Sequence, residues 1–591
     1  MENKSIAVQS ALTKILHTLQ LPPLDSFGGS GNGDAVALSA NHVPPTQPEC
    51  DQQPGVRFLL ELSSPDNPSE PRRQSQTAAA GMAMTRENSQ EVESNESSHG
   101  LVSAPMGTLF EVTKLRNLRS NPQEVTHRST TDDLISSGQI KPEQAEMLFR
   151  YFDRSLNHYL WGGLALVHDN LASLRASSSL LLTAILTVTA LHIPGMESVF
   201  DVCYAEFVSL VCESMLDRYH TLDGIRGLCI GAFWLSDLSW KLSGHAVRIA
   251  TELGLHQSYA KVIKGSSEHF QGARLWYLLY VCDHHFSIAY NRPPVIHEDA
   301  TIIDHERFLR LPGIGQADLR LHSQIAIFVI LTRMYHTFGP DIEQRLTDGD
   351  LNRVRRFNLD LDTWRVNWEP KLASSPHVSA YPAKGVGLHY HYAKFQLNSL
   401  SLRGCQPSPS FELSTERREF ANTAISCAET ILRMVLDEPD IRNALVGVPL
   451  YLHTMITYAT VFLLKVRRKW KTTQLGTDLA LIQDLLTRVI VLLRDAKASE
   501  RHLTYHIAAG LTKMLDRFVA WEHHDLSTGA GTVQADQSGP SQQYQPVPPA
   551  SRYGIDPEYG QMAMYGDPMQ LYGENYFPFG FFDVLSSALP E

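Results

Sequence analysis

Two histidine-containing segments carry the residue types that most readily ligate a transition metal. Asp283, His284 and His285 are consecutive, and His389 and His391 lie two positions apart. Zinc sites need imidazole, thiolate or carboxylate groups that converge on one ion. Neighbouring residues of an α-helix point about 100° apart, so His284 and His285 do not face a common ion, and His389 and His391 would share a face only in an extended segment. Because neither pair has an identifiable further ligand, we expect ordinary core and surface histidines.

The sequence signatures of common catalytic sites are absent. The chain contains no G-x-S-x-G nucleophile elbow, no H-E-x-x-H zinc helix and no dinucleotide-binding glycine fingerprint. The glycine-rich run at 28–33 resembles a phosphate-binding loop, but it lacks that motif's Lys-Ser/Thr pair and a preceding strand. The sequence therefore predicts a protein that is not an enzyme, although catalytic groups can also be assembled from residues far apart in the chain.

The charge of the chain argues against direct binding of nucleic acid by the whole body. With 63 acidic and 51 strongly basic residues, the formal net charge is −12, so the chain as a whole gains nothing from counterion release on DNA. Two interpretations stay open for its densest basic segment: a nuclear import signal or phosphate-binding patch, and a solvated helix C-terminus, where cations are favourable. The basic residues of this segment are Lys465, Arg467, Arg468, Lys469 and Lys471.

Cysteine usage and the N-terminal sequence indicate a reducing compartment. None of the seven cysteines forms a C-x-x-C pair, and most lie in apolar surroundings, as buried free thiols do. The first residues form no apolar signal segment, and the longest apolar run, 180–193, is too short to span a bilayer. We expect a soluble intracellular protein in which 180–193 forms a buried core helix. The cysteines are Cys50, Cys203, Cys212, Cys229, Cys282, Cys405 and Cys427.

Helical periodicity starts near residue 140. Pro142 stands at a first helical position, and apolar residues then recur at spacings of three and four. No alternating segment bounded by hairpin signals indicates a strand, and no fixed-period repeat indicates a solenoid. The sequence predicts an all-α fold, a large irregular helical array. Its predicted helices after the first span 173–193, 197–218, 223–242, 243–254, 270–290, 318–338, 350–369, 386–403, 415–437, 445–470, 476–496 and 500–523.

Both ends of the chain differ in composition from the helical middle. Residues 1–105 are rich in Gly, Ser, Asn and Pro, and such stretches bury too little apolar surface to fold. We expect them to be mostly disordered, and the helical domain to cover 106–525. The segment 526–591 interleaves aromatic and acidic residues, which is typical of a disordered activation segment that folds on a coactivator. Packing of 577–585 back onto the body remains an alternative.

Two consecutive helices contain the most specific motif. The first, 244–256, ends at Gly254, which can adopt the left-handed conformation of a helix cap, with Leu255 making the accompanying apolar contact. The second, 273–283, is apolar on nearly every side and is predicted to be buried. The segment NRPP at 291–294 then ends the helical path, because proline lacks a backbone N–H and restricts the residue before it.

These two helices resemble the middle homology region of fungal binuclear zinc-cluster (Zn₂Cys₆) transcription factors. The segments AVRIATELGLH and ARLWYLLYVCDHHFSIAYNRPP follow its pattern, and 142–161 is similar to its opening helix. Asn291 replaces the usual glycine, and asparagine tolerates the left-handed backbone. The resemblance implies a helical regulatory domain, a nuclear location, gene-specific control of RNA polymerase II transcription, and a homodimer or heterodimer. The matching residues are Ala246, Arg248, Ala250, Leu253, Gly254, Leu255, His256, Arg274, Trp276, Asp283, Arg292 and Pro293.

We expect these matching residues to be structural and to bind no ligand. The three arginines of the set are predicted to pair with Asp283 or Glu298 inside the fold. His256 is predicted to bond a free carbonyl at its helix end.

The DNA-binding module of the family is the important departure. It consists of six cysteines that hold two zinc ions and present a short helix to the major groove. In this sequence Cys50 is the only cysteine before residue 200, so we expect no zinc and no other cofactor in the chain itself. A truncated gene model or isoform, a family member that lost its DNA reader, and an explanation outside both remain open.

Two functions follow from the resemblance and this departure. The first is a transcriptional regulator that reaches DNA through a cluster encoded upstream or through a partner. It would recruit a coactivator by its C-terminal tail and respond to a small molecule held between helices. The second is a family member without DNA contact that acts as a heterodimer partner, coregulator or dominant-negative protein. Neither function involves a membrane.

Overall fold

The computed structural model describes residues 133–217, 219–341, 343–406, 412–471 and 475–529, with side chains up to residue 522. The predicted disordered segment 1–105, which contains Cys50, lies outside these ranges. Nearly all of the acidic-aromatic tail predicted for 526–591 also lies outside the described residues. The family-motif residues, both histidine pairs and the basic segment at 465–471 lie inside them.

Within the described ranges the protein is all-α, as the sequence predicts. Eighteen α-helices follow one another, joined by loops, 3₁₀ turns and a π-helical segment. This part of the chain contains no β-strand, and an isolated bridge joins Ser375 and Ser379. The helices are α1 (Pro142–Tyr151), α2 (Leu171–Ser177), α3 (Ser179–His192), α4 (Glu197–Ser214), α5 (Leu222–Trp234), α6 (Ser239–Glu252), α7 (Ser258–Ile263), α8 (Phe270–Ala289), α9 (Ala300–Ile303), α10 (His305–Phe308), α11 (Gln316–Phe338), α12 (Asp348–Trp368), α13 (Tyr381–Ser399), α14 (Thr415–Asp437), α15 (Pro439–Ala444), α16 (Leu450–Lys469), α17 (Leu479–Arg494) and α18 (Leu503–Gly529).

Several helices begin where the sequence provides an N-terminal cap. The side chains of Thr221, Ser414 and Asp478 accept hydrogen bonds from backbone N–H groups at the starts of α5, α14 and α17. Such a cap satisfies a donor that has no partner inside the helix and contributes about 1 kcal/mol. Pro142 opens α1 as predicted. With Ser414 as its cap, α14 has the predicted bounds of 415–437.

The structure interrupts two helices that the periodicity joins. Ser178 has an extended backbone and separates α2 from α3, so the predicted helix 173–193 is two helices. After Tyr151 the predicted continuation of α1 becomes a π-helical segment, Phe152–Leu156, followed by a 3₁₀ turn. Apolar spacing did not reveal either break, because the buried positions continue through both.

Other helix bounds also differ from the prediction. The boundary predicted between 242 and 243 lies instead between Trp234, where α5 ends, and Ser239, where α6 begins. The helices α7, α9, α10 and α15 were not predicted, since they are too short to show a 3.6-residue period. The last helix, α18, continues to Gly529, past the predicted domain boundary at 525.

The apolar run predicted as a core helix forms α3. Every residue from Leu181 to His192 is buried, and the helix packs against α1, α4 and α5. The hydroxyls of Thr183 and Thr187 donate to carbonyl oxygens one turn earlier, at 2.7 Å each, which satisfies these polar groups inside the core. No helix in the described part of the chain is both long and apolar enough to cross a membrane.

The helix α8 lies at the centre of the body. It packs against α5, α6, α7 and α11 and also touches α16. All of its residues from Leu275 to Ser287 are buried, as its composition predicts. Beyond it, α13 packs against α12 and α14, while α18 packs against α16 and α17. One hydrophobic core therefore extends through the described helices.

Candidate functional site

The end of α6 is built as its motif predicts, except at the histidine. Gly254 has a φ of 73°, which glycine adopts without steric cost, and Leu255 is buried. The prediction for His256 is wrong. Its Nδ1 has no hydrogen-bond partner among the described residues, and its Nε2 lies 3.3 Å from the side-chain Nε2 of Gln257. The imidazole packs instead against Trp276 of α8, with ring centroids 6.0 Å apart.

Asp283 holds the loop that follows α8. Its Oδ2 accepts hydrogen bonds from the backbone N–H groups of Val295, at 2.7 Å, and Ile296, at 2.8 Å. Burial raises the pKa of this carboxyl to about 6, although both hydrogen bonds lower it. Asp283 therefore acts on the backbone just beyond Pro293, and no arginine in the described chain pairs with it.

The predicted pairing of the motif arginines with Asp283 or Glu298 is wrong. Arg274 pairs with Asp318 at the start of α11, through Nε–Oδ1 at 2.8 Å and Nη2–Oδ2 at 2.6 Å. Glu298 pairs with Arg333, at 3.0 Å. The 44 residues that separate Arg274 from Asp318 along the chain hid this contact from an argument based on spacing.

The other two motif arginines have different surroundings. The guanidinium of Arg292 lies 4.8 Å from the ring centre of Trp240 and 5.2 Å from that of Tyr290. Asn291, directly before it, has a φ of 51°, the left-handed conformation expected from the family's glycine at this position. Arg248 is exposed on α6. Arg248 is thus a surface residue, Arg274 is an ion-pair partner, and Arg292 is a cation stacked on aromatic rings.

One histidine of each pair is bonded within its own helix. His284 Nδ1 lies 2.9 Å from the carbonyl oxygen of Tyr280, and His389 Nδ1 lies 2.9 Å from that of Gly385. His389 and His391 both belong to α13, so they point about 200° apart and do not share a face. Burial lowers the pKa of His284 to about 3 and that of His389 to about 4. Within the described residues, no group of three potential ligands converges as a metal site requires.

The basic segment lies at the end of α16 and contacts α18. Arg467 Nε is 3.2 Å from Glu522 Oε1, and Lys471 Nζ is 3.3 Å from Glu522 Oε2. The guanidinium of Arg468 lies 5.6 Å from the ring centre of Trp521. One glutamate and one tryptophan of α18 thus engage three of the five cations.

The remaining two cations differ in burial. Lys469 is exposed, whereas Lys465 is half-buried. Burial, together with the charge of Lys469, lowers the pKa of Lys465 to about 8. Arg468 and Lys469 therefore lie on a folded helix end and not on an extended peptide.

A cavity with two lobes, which share four lining side chains, lies among α5, α8, α11, α12, α13 and α16. The larger lobe has a volume of about 40 Å³ and the smaller a volume of about 20 Å³. An ordered water requires about 10–15 Å³, so the two lobes have room for a few waters. Four side chains line both lobes: Arg320, Gln324, Tyr381 and His389.

Arg320 carries the charge of this cavity. Its Nη1 and Nη2 donate to the carbonyl oxygens of His158 and Tyr159, at 3.0 Å each. The guanidinium lies 5.2 Å from the ring centre of Tyr381, and only 7% of the residue is exposed. Burial lowers the pKa of Arg320, but a guanidinium stays protonated in a protein. No Asp or Glu is among the described residues that line either lobe.

The polar side chains around Arg320 are uncharged at neutral pH. Burial raises the pKa of the Tyr159 phenol to about 12 and also raises that of Tyr381. Burial lowers the pKa of His389 to about 4 and that of His285 well below its usual value. The lining therefore presents one positive charge without a compensating anion.

Aromatic side chains form much of the remaining wall. The ring of His285 lies 5.8 Å from Phe233 and 4.1 Å from Tyr451 between centroids, and its Nε2 has no hydrogen-bond partner among the described residues. Trp161 Nε1 donates to Gln324 Oε1 at 3.0 Å. The sequence argument missed this cavity because its lining comes from six helices. The available signal was an arginine within a long, largely apolar helical segment.

A second polar cluster was also missed. His168 Nε2 lies 2.8 Å from Asp223 Oδ2, and His168 Nδ1 lies 2.8 Å from Ser173 Oγ. Serine, histidine and aspartate are joined here as in a hydrolase triad, but the imidazole is reversed, because a triad places Nε2 on the serine and Nδ1 on the aspartate. Asp223 also accepts hydrogen bonds from Ser177 and Arg226, and we assign the cluster to the fold because it joins α2 and the preceding loop to α5.

Comparison with known proteins defines the class of the chain as a fungal transcription factor with a helical middle domain. Residues 138–518 match the family model described as the middle domain of the transcriptional activator of proteases prtT. The chain is 50% identical over 542 residues to the transcriptional activator of proteases prtT of Emericella nidulans, and the match covers 89% of this chain and 78% of that relative. No solved structure matches the chain.

The chain belongs to the prtT-like family of transcriptional activators. This membership confirms the predicted resemblance to fungal transcription factors and the predicted function as a transcriptional regulator. The matched region, 138–518, lies inside the predicted helical domain at 106–525.

Proposed function

We propose that this chain activates the expression of protease genes, as a nuclear, gene-specific regulator of RNA polymerase II transcription. The 50% identity over 542 residues to a protein named as an activator of proteases carries the proposal. Because the match covers 89% of the chain, it extends beyond the middle domain at 138–518. Conservation of that extent supports a shared role and not only a shared fold.

The helical body has a regulatory, non-enzymatic role in this proposal. The motif residues stabilise the body, and two contacts support this role: the ion pair of Arg274 with Asp318 and the bond from Val295 to Asp283. A small effector would occupy the cavity at Arg320. Such a ligand shifts a conformational equilibrium only if it binds one arrangement of the helices better than another.

DNA contact requires a basic module that the body does not supply. The net charge of −12 opposes direct binding, and Cys50 is the only cysteine before residue 200. In our proposal the zinc cluster belongs to a further segment of the protein or to a partner, and the chain acts in a homodimer or heterodimer. The second candidate is a heterodimer partner, coregulator or dominant-negative protein without DNA contact.

Nuclear entry and recruitment of coactivators are assigned to two further segments. The cations from Lys465 to Lys471 form the proposed import signal, and their position at the end of α16 supports it by leaving Lys469 exposed. The acidic-aromatic sequence of 526–591 is the proposed coactivator-binding segment. Fusing 526–591 to a heterologous DNA-binding module tests the second assignment, and an inactive reporter would remove it.

Complementation in Emericella nidulans tests the main proposal. The chain is expressed in a strain whose own prtT gene is deleted, either alone or fused to a heterologous zinc-cluster module. The strain also carries a protease reporter gene with the DNA site that this module binds. We expect at least a tenfold rise of reporter activity with the fused chain. We also expect secreted protease to return with the unfused chain if the chain reaches DNA by itself or through a partner. A fused chain that is present by immunoblot but inactive contradicts activator function.

The same chain in a strain that retains its own activator tests the second candidate. A fall of secreted protease there, without any rescue in the deletion strain, assigns a dominant-negative role. An unchanged level in the first strain, together with rescue in the second, excludes that role.

A further inference from the structure

Arg320 is a buried cation that has no buried anion. A guanidinium carries five N–H donors, and the described residues engage two of them, through the carbonyl oxygens of His158 and Tyr159. Burying a charge is costly unless an opposite charge or several hydrogen bonds replace its hydration. The neighbouring phenols stay protonated, because burial raises the pKa of Tyr159 to about 12 and also raises that of Tyr381. Three donors and the positive charge are therefore left without a described protein partner, on a residue that lines the cavity.

The wall of the cavity adds an apolar surface to this charge. Leu388, Leu452 and Met455 line the larger lobe together with aromatic rings. A ligand that matches both features has one anionic group and a compact apolar body. The planar guanidinium suits a carboxylate, which accepts two parallel N–H···O bonds. Inorganic phosphate would leave the apolar wall without a partner.

The lining also disfavours zwitterions. An α-amino acid carries an ammonium group on the carbon next to its carboxylate, and a buried ammonium needs an anion or several acceptors. The described residues lining the two lobes include no Asp or Glu. The positive charge of Arg320 would also repel an ammonium held at this short distance.

We propose that this cavity binds a small, branched aliphatic monocarboxylate that lacks an ammonium group, with its carboxylate on Arg320. The carboxylate and part of the aliphatic body would replace the few waters for which the two lobes have room. Such a ligand would touch α8, α11, α13 and α16 together, the helices that carry His285, Arg320, His389 and Tyr451. The binding follows from the geometry alone, whereas its role as an effector of transcription rests on the proposed function.

Three compounds of matched shape test the ligand class on the full chain. They are 3-methylbutanoate, its neutral amide, and valine, which is the 2-amino derivative of the same acid. Affinity is measured by isothermal titration calorimetry at pH 7.5, and stabilisation is measured as the rise in Tm. We expect 3-methylbutanoate to bind and to raise the Tm, and the amide and valine to bind at least tenfold more weakly. Equal affinity for valine, or no binding of 3-methylbutanoate at millimolar concentration, overturns the proposal.

Two variants locate the binding site. Arg320→Met removes the charge and should abolish binding, but it also releases two backbone carbonyls and can lower stability. Gly385→Leu avoids that ambiguity. Gly385 lines the smaller lobe, and no atom lies within 4 Å of the position its Cβ would take. Leucine should therefore fill the lobe, keep the Tm at or above that of the wild type, and weaken 3-methylbutanoate at least tenfold.

A matched control uses the same helix. Arg333 is an exposed arginine of α11 that pairs with Glu298, and Arg333→Met should bind 3-methylbutanoate as the wild type does. Unchanged binding in a folded Gly385→Leu variant would place the ligand elsewhere and overturn the assignment of the cavity.

The binding experiment and the complementation experiment fail independently. If 3-methylbutanoate binds at Arg320 but the fused chain activates no reporter, the site stands and the proposed function is wrong. If the fused chain activates the reporter but the acid does not bind, the function stands and the site is wrong.

Discussion

Arg274 on α8 and Asp318 on α11 form a two-point ion pair, with Nε–Oδ1 at 2.8 Å and Nη2–Oδ2 at 2.6 Å. Asp318 is fully buried, and its Oδ2 also accepts a hydrogen bond from the backbone N–H of Gly315, at 3.0 Å. One carboxylate therefore begins α11 and fastens it to the central helix of the body. Because α11 also carries Arg320, this pair helps to position the candidate ligand cavity.

Replacing one member of this pair should destabilise the body strongly. Arg274→Met leaves the buried carboxylate of Asp318 without its cation, and breaking a buried pair in this way costs about 3 kcal/mol or more. We expect a clear fall in Tm and in the free energy of unfolding, measured by thermal and urea denaturation at pH 7.5. The double variant Arg274→Met/Asp318→Asn should recover part of the loss, because it removes the uncompensated charge.

The surface pair of Arg333 with Glu298 provides the control. The side chain of Arg333 is 56% exposed, so Arg333→Met should cost less than about 1 kcal/mol. If Arg274→Met and Arg333→Met lower the free energy of unfolding equally, burial of Asp318 does not set the strength of its ion pair with Arg274.

Two glycines with similar open space should respond in opposite directions to alanine. No atom lies within 4 Å of a Cβ built on either Gly254 or Gly385, but only Gly254 has a positive φ, 73°. Gly254→Ala should cost about 1–2 kcal/mol, since the left-handed conformation strains an L residue. Gly385→Ala should stabilise the protein by about 0.5–1 kcal/mol, because it lies in a helix. Thermal melting of both variants measures the contrast, and a shift of the same sign for both would contradict it.

Asp283 should tolerate asparagine much better than alanine. Its Oδ2 accepts from two backbone N–H groups, and burial raises the pKa of its carboxyl to about 6, so the folded protein favours a neutral acceptor more than water does. Asp283→Ala leaves both donors unsatisfied and should cost about 2 kcal/mol. Asp283→Asn keeps an acceptor oxygen and should stay within about 1 kcal/mol of the wild type at pH 7.5. Matched urea unfolding curves decide, and an equal loss in both variants would show that the charge itself is required.

The free energy of unfolding of the body should fall in mild acid, because buried histidines such as His453 resist protonation in the folded state. In the unfolded chain this imidazole takes a proton near pH 6.5, whereas burial and the neighbouring His192 lower its pKa in the folded protein to about 4. The unfolded state then binds more protons between these values, so stability that is complete above pH 6.5 is lost as the pH falls towards 4. Between pH 7 and pH 5 the loss from this one residue is about 2 kcal/mol.

The variant His453→Leu isolates that contribution. Its free energy of unfolding should change less between pH 7 and pH 5 than that of the wild type, by about 2 kcal/mol. Thr457→Val, one turn later on α16, replaces a buried but non-titrating residue and should leave the pH dependence as in the wild type. If the pH dependence is the same in His453→Leu and in the wild type, the ring of His453 in the folded wild type is already protonated, or already accessible to solvent, at pH 5.

Nuclear import should depend on the cations that make no ion pair with α18. Arg468 stacks on Trp521 and Lys469 is exposed, whereas Arg467 and Lys471 pair with Glu522. Arg468→Gln/Lys469→Gln should therefore lower the nuclear fraction of a fluorescent fusion several-fold while the Tm changes little. Glu522→Gln is the opposite control: it weakens the contact between α16 and α18 but keeps every cation. Import that fails in Glu522→Gln and persists in the glutamine double variant would assign the segment to folding alone.

The motif helices were predictable because their features are local. Gly254 ends α6 through its own φ, Pro142 opens α1, and Ser414 caps α14, so a few neighbouring residues decide each of these points. The run 180–193 is apolar enough to require a buried helix whatever surrounds it. The break at Ser178 was not predictable, because its apolar neighbours continue the helical spacing on both sides.

The contacts of the polar residues were not predictable in the same way. His256 was expected to cap its own helix, but its ring meets Trp276 of the next long helix. The motif arginines were expected to use nearby acids, but Arg274 uses Asp318, 44 residues away. Long side chains with several donors have many possible partners, and local spacing does not distinguish among them.

The sequence by itself determined that the described body is all-α, which of its segments are buried, and which family it belongs to. Apolar periodicity and turn residues carry that information within a few positions of the chain. The tertiary structure alone decided that Arg320 lies at a cavity without an anion, because the residues around it come from six helices. Whether a buried charge is compensated depends on which distant side chains packing brings to it, and no local pattern specifies that.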